Sequence, residues 1–387
     1  MVAWMAGLVL GLAPVPQDAE RLRTLLPNGS IVAVERRPGQ TGASVQLWVS
    51  LQRPVASSIP PLEAVHLLEH LLLTAEADVD RRLEANGMAS NGLTYRDALQ
   101  LRISCGASQV ADAVQEMAKL MKRPSLDPAA LERERRLVLL EIASRSDDER
   151  LSAAAWELAF QGQVGDPVGR PEVVSSLTEA DVLAAYDSHV RARNLVLLIV
   201  GDVDLDAATE LGRQVLEGFD KGDRVAPRER PESVGGRASV PGAIGDGRAC
   251  VVPEYDNPAT AARLAAALAV ASQVPSSFVT YTPSTLSGLI IVGQTQSTSG
   301  VGLFVDQVDD SLAAGLFPLG RALGLRWVQR QLAETDKGGA RGLLMSAGAT
   351  RRPEELQEAL LRMTWPEFRE GLAAFRGEGA ITVVGEP

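Results

Sequence analysis

Near its end the chain repeats a pattern it has already used. Leu177-Thr178-Glu179-Ala180-Asp181-Val182 reads as a helix start capped by Thr178, and the strand Leu198-Ile199-Val200-Gly201-Asp202 follows. Met363-Thr364-Trp365-Pro366-Glu367-Phe368 and Ile381-Thr382-Val383-Val384-Gly385-Glu386 keep the same order. Met363 stands 186 residues after Leu177, and Glu386 stands 184 after Asp202. A capped helix, a strand and a Val-Gly-acid ending at a nearly constant offset mark a duplicated α+β unit. The expected fold is α+β, with two repeated domains. Each is a mainly antiparallel sheet packed by helices, and the second copy is shortened.

Composition places the boundaries. Residues 221–246 are rich in Gly, Pro, Arg and Asp and read as a linker. They separate an N-terminal domain, residues 20–220, from a shortened repeat, residues 247–387. Leu25–Arg37 reads as a strand pair turned at Asn28-Gly29, and Ser44–Leu51 alternates as a strand should. Leu62–Thr74 is almost wholly apolar and predicts a buried helix. Ala89–Tyr95 and Ala98–Cys105 read as strands, and Gln109–Lys122 as an amphipathic helix. Asp127-Pro128 predicts a cap and a first-turn proline for a helix running to Ser144. Residues 1–19 are apolar and uncharged up to Val15, then polar, like a signal peptide. This predicts a periplasmic or secreted protein, the alternative being a cytoplasmic one. No other segment reads as membrane-spanning.

Composition also excludes function classes. A net charge of −11 leaves no basic footprint for nucleic acid. Two cysteines, Cys105 and Cys250, exclude both a disulfide framework and a zinc-thiolate cluster.

The chain holds three histidines, and two of them stand in His66-Leu67-Leu68-Glu69-His70. On a helix, positions four apart share a face and the third lies beside them. His66 and His70 can hold one metal ion there, with Glu69 next to whatever the ion binds. This H-x-x-E-H order is the inverse of the H-E-x-x-H metalloprotease motif. A pair of core histidines would not explain a glutamate on an apolar face.

A catalytic zinc takes three protein ligands and keeps one position open. His189 is a weak third ligand, because it sits at a helix end before a strand. A carboxylate from the 128–144 helix is better, and Glu132, Glu134 and Glu141 are available. Glu134 and Glu141 lie two turns apart on one face, among Leu137, Val138, Leu139, Leu140 and Ile142. A glutamate buried there needs a partner or a metal. A zinc so held lowers the pKa of a bound water towards about 7. Glu69 would take its proton and pass it to the leaving amine. Glu134 is the candidate that orients the histidines.

These residues resemble the insulinase/pitrilysin family of zinc peptidases, which includes the mitochondrial processing peptidase subunits. The likeness extends to Leu26-Pro27-Asn28-Gly29, to Glu84-Ala85-Asn86-Gly87 with Asn91-Gly92-Leu93-Thr94, and to Glu134-Arg135-Arg136 with Glu141. Asp166-Pro167-Val168-Gly169 and Tyr186, Asn194 and Val200-Gly201-Asp202 complete it. The resemblance implies one zinc per chain on His66, His70 and Glu141, with Glu69 as the base and Glu134 supporting the site. It also implies an edge strand, Asn91, Gly92, Leu93 and Thr94, that pairs with an extended peptide substrate.

The chain departs from the family in three places. The spacing from His70 to Glu141 is slightly short. Gly92 stands where the family has alanine, which would loosen the edge strand. The second half carries no recognisable Arg…Gly-Leu-x-Tyr segment, which in the family helps to hold substrate. The resemblance therefore implies a zinc endopeptidase acting as the zinc-carrying subunit of a dimer, with a homologous partner or a second copy. The alternative is a non-catalytic structural or binding subunit on the same fold.

Overall fold

The structure, a computed structural model, describes residues 20–51, 60–74, 79–222, 232–253, 255, 257–282, 288–297, 300–333 and 354–386. The apolar segment 1–19 lies outside them. No helix among the described residues is long and apolar enough to cross a membrane.

The first half opens with β1 (Glu20–Leu25), β2 (Ile31–Arg36) and β3 (Gly42–Ser50). Helices α1 (Leu62–Thr74) and α2 (Val79–Ala85) lead to β4 (Ala89–Thr94) and β5 (Ala98–Gly106). Then come α3 (Val110–Leu120), α4 (Pro128–Ala143), α5 (Asp147–Phe160), α6 (Pro171–Ser176) and α7 (Glu179–His189). Strand β6 (Leu195–Gly201) and helix α8 (Leu205–Leu216) close it. The second half runs β7 (Gly236–Pro241), β8 (Asp246–Val252), α9 (Pro258–Ala271), β9 (Ser277–Thr280) and β10 (Gly288–Gln294). Helices α10 (Gly300–Gln307), α11 (Asp310–Ala333), α12 (Glu355–Arg362) and α13 (Trp365–Ala373) precede β11 (Ile381–Glu386).

The two sheets have orders β1-β2-β6-β3-β5-β4 and β7-β11-β8-β10-β9. Strand for strand they match, β1 excepted. β2 and β6 run parallel, as β7 and β11 do, and the pairs that follow in each sheet are antiparallel. The recurrence in the sequence is thus a repeat of sheet topology. Thr178 caps α7 by accepting from Asp181, and Asp127 caps α4 by accepting from Ala129. At the first turn Gly29 adopts φ +95°, and Asn28 accepts from the Ser30 amide. An L side chain at Gly29 would be strained and would meet Arg193.

The boundary differs from the one composition suggests. Residues 236–241, inside the expected linker, form β7, which pairs in parallel with β11. A Gly- and Pro-bearing segment is tolerated because β7 lies at a sheet edge and Pro241 closes it. Helix α5 also crosses the expected boundary. It follows α4 in sequence, yet Leu151, Ala155, Ala159 and Phe160 pack with Val240, Leu289, Ile381 and Val383 of the second sheet. Arg37 ties the halves together again. Its guanidinium donates to the Leu332 and Ala333 carbonyls at the end of α11 while paired with Glu35.

The helix after the second strand of each unit is treated differently in the two halves. In α1 the buried face carries His66 and Glu69 among leucines. In α9 it is mostly alanine. There Gly320 of α11 and Gly371 of α13 press onto the α9 backbone, where a Cβ would stand 2.6 Å from Ala265 and Ala262 atoms. Cys105 and Cys250 are buried and unbonded.

Candidate active site

Helix α1 lies with its apolar side in the first core, and Leu67, Leu68, Leu71 and Leu72 anchor it there. Its remaining face turns towards α4 and the edge strand β4. His66, His70 and Glu141 converge, with one ligand atom from each lying within 4.8 Å of the others. Nε2 of His66 is 3.3 Å from one Glu141 oxygen, and Nε2 of His70 is 3.4 Å from the other. Three donors held tetrahedrally at about 2.0–2.1 Å from a zinc ion stand roughly 3.3–3.4 Å from one another. The two contacts go to different Glu141 oxygens, but two imidazoles and a carboxylate within 4.8 Å are the donor set of a catalytic zinc, and the residues present fit that ion.

The other ring nitrogens are also engaged. Nδ1 of His66 lies 3.2 Å from the Val168 carbonyl. Nδ1 of His70 lies 3.4 Å from the carboxylate of Glu134, which is 1% exposed and also paired with Arg133. A carbonyl can only accept, so His66 carries its proton on Nδ1 and turns the Nε2 lone pair towards Glu141. At His70 both ring nitrogens face carboxylates. Acceptor then faces acceptor unless a cation, a proton or a metal, lies between.

The site's charges agree. When a proton rather than a metal lies between it and each imidazole, the hydrogen bonds from His66 and His70 hold Glu141 down to about 2. Burial lowers the pKa of His70, but its bond to Glu141 and the nearby carboxylates outweigh this and raise it. Burial raises Glu69 above the ordinary carboxylate range, against the pull of its hydrogen bond from Thr94. Glu69 is 6% exposed, whereas the Glu141 side chain is 50% exposed, so the site opens on the α4 side.

The edge-strand residues divide. β4 is the outermost strand of the first sheet. Thr94 donates to Oε2 of Glu69 at 2.6 Å, and Gly92 lies against the same side chain. Asn91 accepts from the Gly92 amide at 2.9 Å, and Leu93 is exposed. A Cβ at Gly92 would meet the Glu69 side chain, so the glycine leaves that side chain its room. His189 ends α7 and is not part of the metal cluster found among the described residues. Glu132 pairs with Arg135 and Arg136 on the outer side of α4.

The Asp166-Pro167-Val168-Gly169 stretch belongs to the family resemblance, but nothing in the sequence shows that its main chain meets His66 or that Arg96 and Arg145 hold it. The loop 165–169 that carries Val168 is clamped by two arginines. Arg145 pairs with Asp166 and reaches the Gly169 carbonyl, and Arg96 donates to the Gly165 carbonyl. Arg96 lies over the ring of Trp156 in α5 at 4.4 Å, and burial draws its pKa down to about 10.

Known proteins resemble this chain in sequence and in fold. Residues 63–172 match the family model for insulinase (peptidase family M16), and residues 176–243 match that for the M16 inactive domain. An uncharacterised zinc protease of Mycobacterium leprae is 31% identical over 50% of this chain and 45% of its own length. A mitochondrial-processing peptidase subunit beta of Blastocladiella emersonii is 26% identical over 55% and 47%. The chain thus spans about half the length of the curated relatives it matches. A protease from Helicobacter pylori has the same fold, with a TM-score of 0.79 at 15% identity over 95% of this chain and 100% of that one. A Pseudomonas fluorescens structure described as a peptidase M16 inactive domain superposes at 0.75 and 13%, over 95% and 98%.

Proposed function

Because the chain belongs to the insulinase family of zinc metallopeptidases (peptidase family M16), we propose that it is a zinc endopeptidase cleaving extended or unfolded peptides. In this reading it is the zinc-carrying subunit of a dimer. The observation that carries the proposal is His70, whose two ring nitrogens both face carboxylates. A cation bound to His66, His70 and Glu141 resolves that arrangement. When bound, zinc supplies a Lewis acid and a water whose pKa falls to about 7. Glu134 and the Val168 carbonyl orient the two imidazoles. Glu69, with Oε2 held by Thr94, presents Oε1 to the proton of the attacking water and later returns that proton to the leaving amine. Its raised pKa suits a group that must both take and give. The unpaired edge of β4 offers main-chain pairing to an extended peptide, through Asn91, Gly92, Leu93 and Thr94.

A partner is part of the proposal. The second half carries no recognisable Arg…Gly-Leu-x-Tyr segment, so in this reading a partner supplies the substrate grip; one relative is named as a subunit. Export to the periplasm or beyond rests on residues 1–19 alone.

A second reading is a binding or structural subunit on the same fold, and the inactive-domain match at residues 176–243 supports it. One experiment separates the two. The purified chain, with and without Glu69→Gln, is given a mixture of unstructured peptides and assayed for bound zinc. Cleavage lost in the variant supports the endopeptidase. Zinc retained with no cleavage by either form, even with a partner supplied, supports the second reading.

A further inference from the structure

Glu69 belongs to α1, yet its carboxylate is placed by β4. Thr94 Oγ1 donates to Oε2 at 2.6 Å. A Cβ on Gly92 would stand 2.5 Å from Oε1, 2.6 Å from Cγ and 2.8 Å from Cδ of Glu69. The end of the glutamate therefore rests on the bare backbone of Gly92. Residues two apart on a strand present the same face, so Gly92 and Thr94 meet Glu69 together. Leu93, between them, is exposed. The residue as a whole is buried.

We infer that Thr94 is a positioning residue for Glu69. Its hydroxyl fixes which oxygen turns to the reaction. This rests on the reading of Glu69 as the base. Its consequence is geometric. The strand proposed to align the peptide also holds the group that takes the proton, so one element sets the distance between them. A displacement of about 1 Å in such a constellation can cost on the order of a hundredfold in rate.

The test uses the full chain with its partner, and Thr94→Val and Thr94→Ser. Zinc content, kcat, KM and crystal structures are measured. Thr94→Val is expected to lower kcat about a hundredfold, with KM and zinc unchanged, and to move the Glu69 carboxylate. Thr94→Ser keeps the donor and is expected to restore most of kcat. A Glu69 carboxylate unmoved in Thr94→Val, or Thr94→Val with full kcat, would overturn the inference. A wild-type complex that binds zinc and cleaves nothing, while Glu69 moves in Thr94→Val, would instead sink the endopeptidase reading and leave the positioning intact.

Discussion

Nδ1 of His66 lies 3.2 Å from the carbonyl oxygen of Val168, a residue 102 positions further along the chain. That contact fixes the imidazole tautomer and leaves Nε2 facing Glu141. The carbonyl is itself held, because Arg145 clips the loop at Asp166 and Gly169. Arg145→Ala should therefore weaken zinc binding roughly tenfold without touching a ligand. Competition against a chelator of known affinity would measure it, and unchanged affinity would show that the loop does not orient His66.

Direct ligand removal should be harsher and should sort the carboxylates. His70→Ala and Glu141→Gln are expected to lose stoichiometric zinc on dialysis. Glu69→Gln should keep zinc and lose roughly a hundred- to ten-thousandfold in kcat. Metal analysis alongside peptide cleavage checks both. Full zinc in Glu141→Gln would remove that residue from the ligand set.

Zinc affinity should fall on acidification earlier than an ordinary imidazole would suggest. The metal needs neutral His70. In the metal-free chain burial lowers the His70 pKa, but the Glu141 contact and the surrounding carboxylates outweigh it and hold the pKa above the ordinary imidazole value of about 6.5. As pH falls through that raised value, each bound proton must be displaced by the ion. Apparent affinity should then drop about tenfold per pH unit from an onset above the ordinary histidine range. A binding series from pH 8 to about 5 reads the onset; a curve breaking only below about 6.5 would contradict it.

Gly371→Ala offers a stability test with an unusual sign. Glycine to alanine inside a helix ordinarily stabilises by about 1 kcal/mol. In α13 the new Cβ would stand 2.6 Å from the Ala262 backbone. Overpacking of that kind costs about 1–3 kcal/mol, so a lowered melting temperature is expected. A raised one would mean that α9 and α13 separate without cost.

What could be read from the sequence was what is local or periodic. The apolar run of α1, the Asp127-Pro128 start of α4 and the repeat of capped helix and strand each carry their signal within a few residues. Two turns of helix also suffice to put Glu134 and Glu141 on one face. What escaped depends on contacts across the chain. Thr94 finds Glu69 from 25 positions away, and Val168 acts through a main-chain oxygen that any residue would supply. Strand β7 was hidden for another reason: its glycine, arginine and terminal proline are those of a linker, and only pairing with β11 at a sheet edge makes it a strand.

Helix α5 has a consequence of its own. In chain order it stands among the elements of the first sheet, yet its apolar side is buried in the second. A cut near residue 221 would not yield two self-contained pieces. The upstream piece would carry an amphipathic helix stripped of its cover, and the downstream piece a sheet with an open face. The order of synthesis and the order of assembly therefore cannot coincide. Helix α5 emerges early and must wait for β7, β8, β10 and β11, the last of them made more than two hundred residues later.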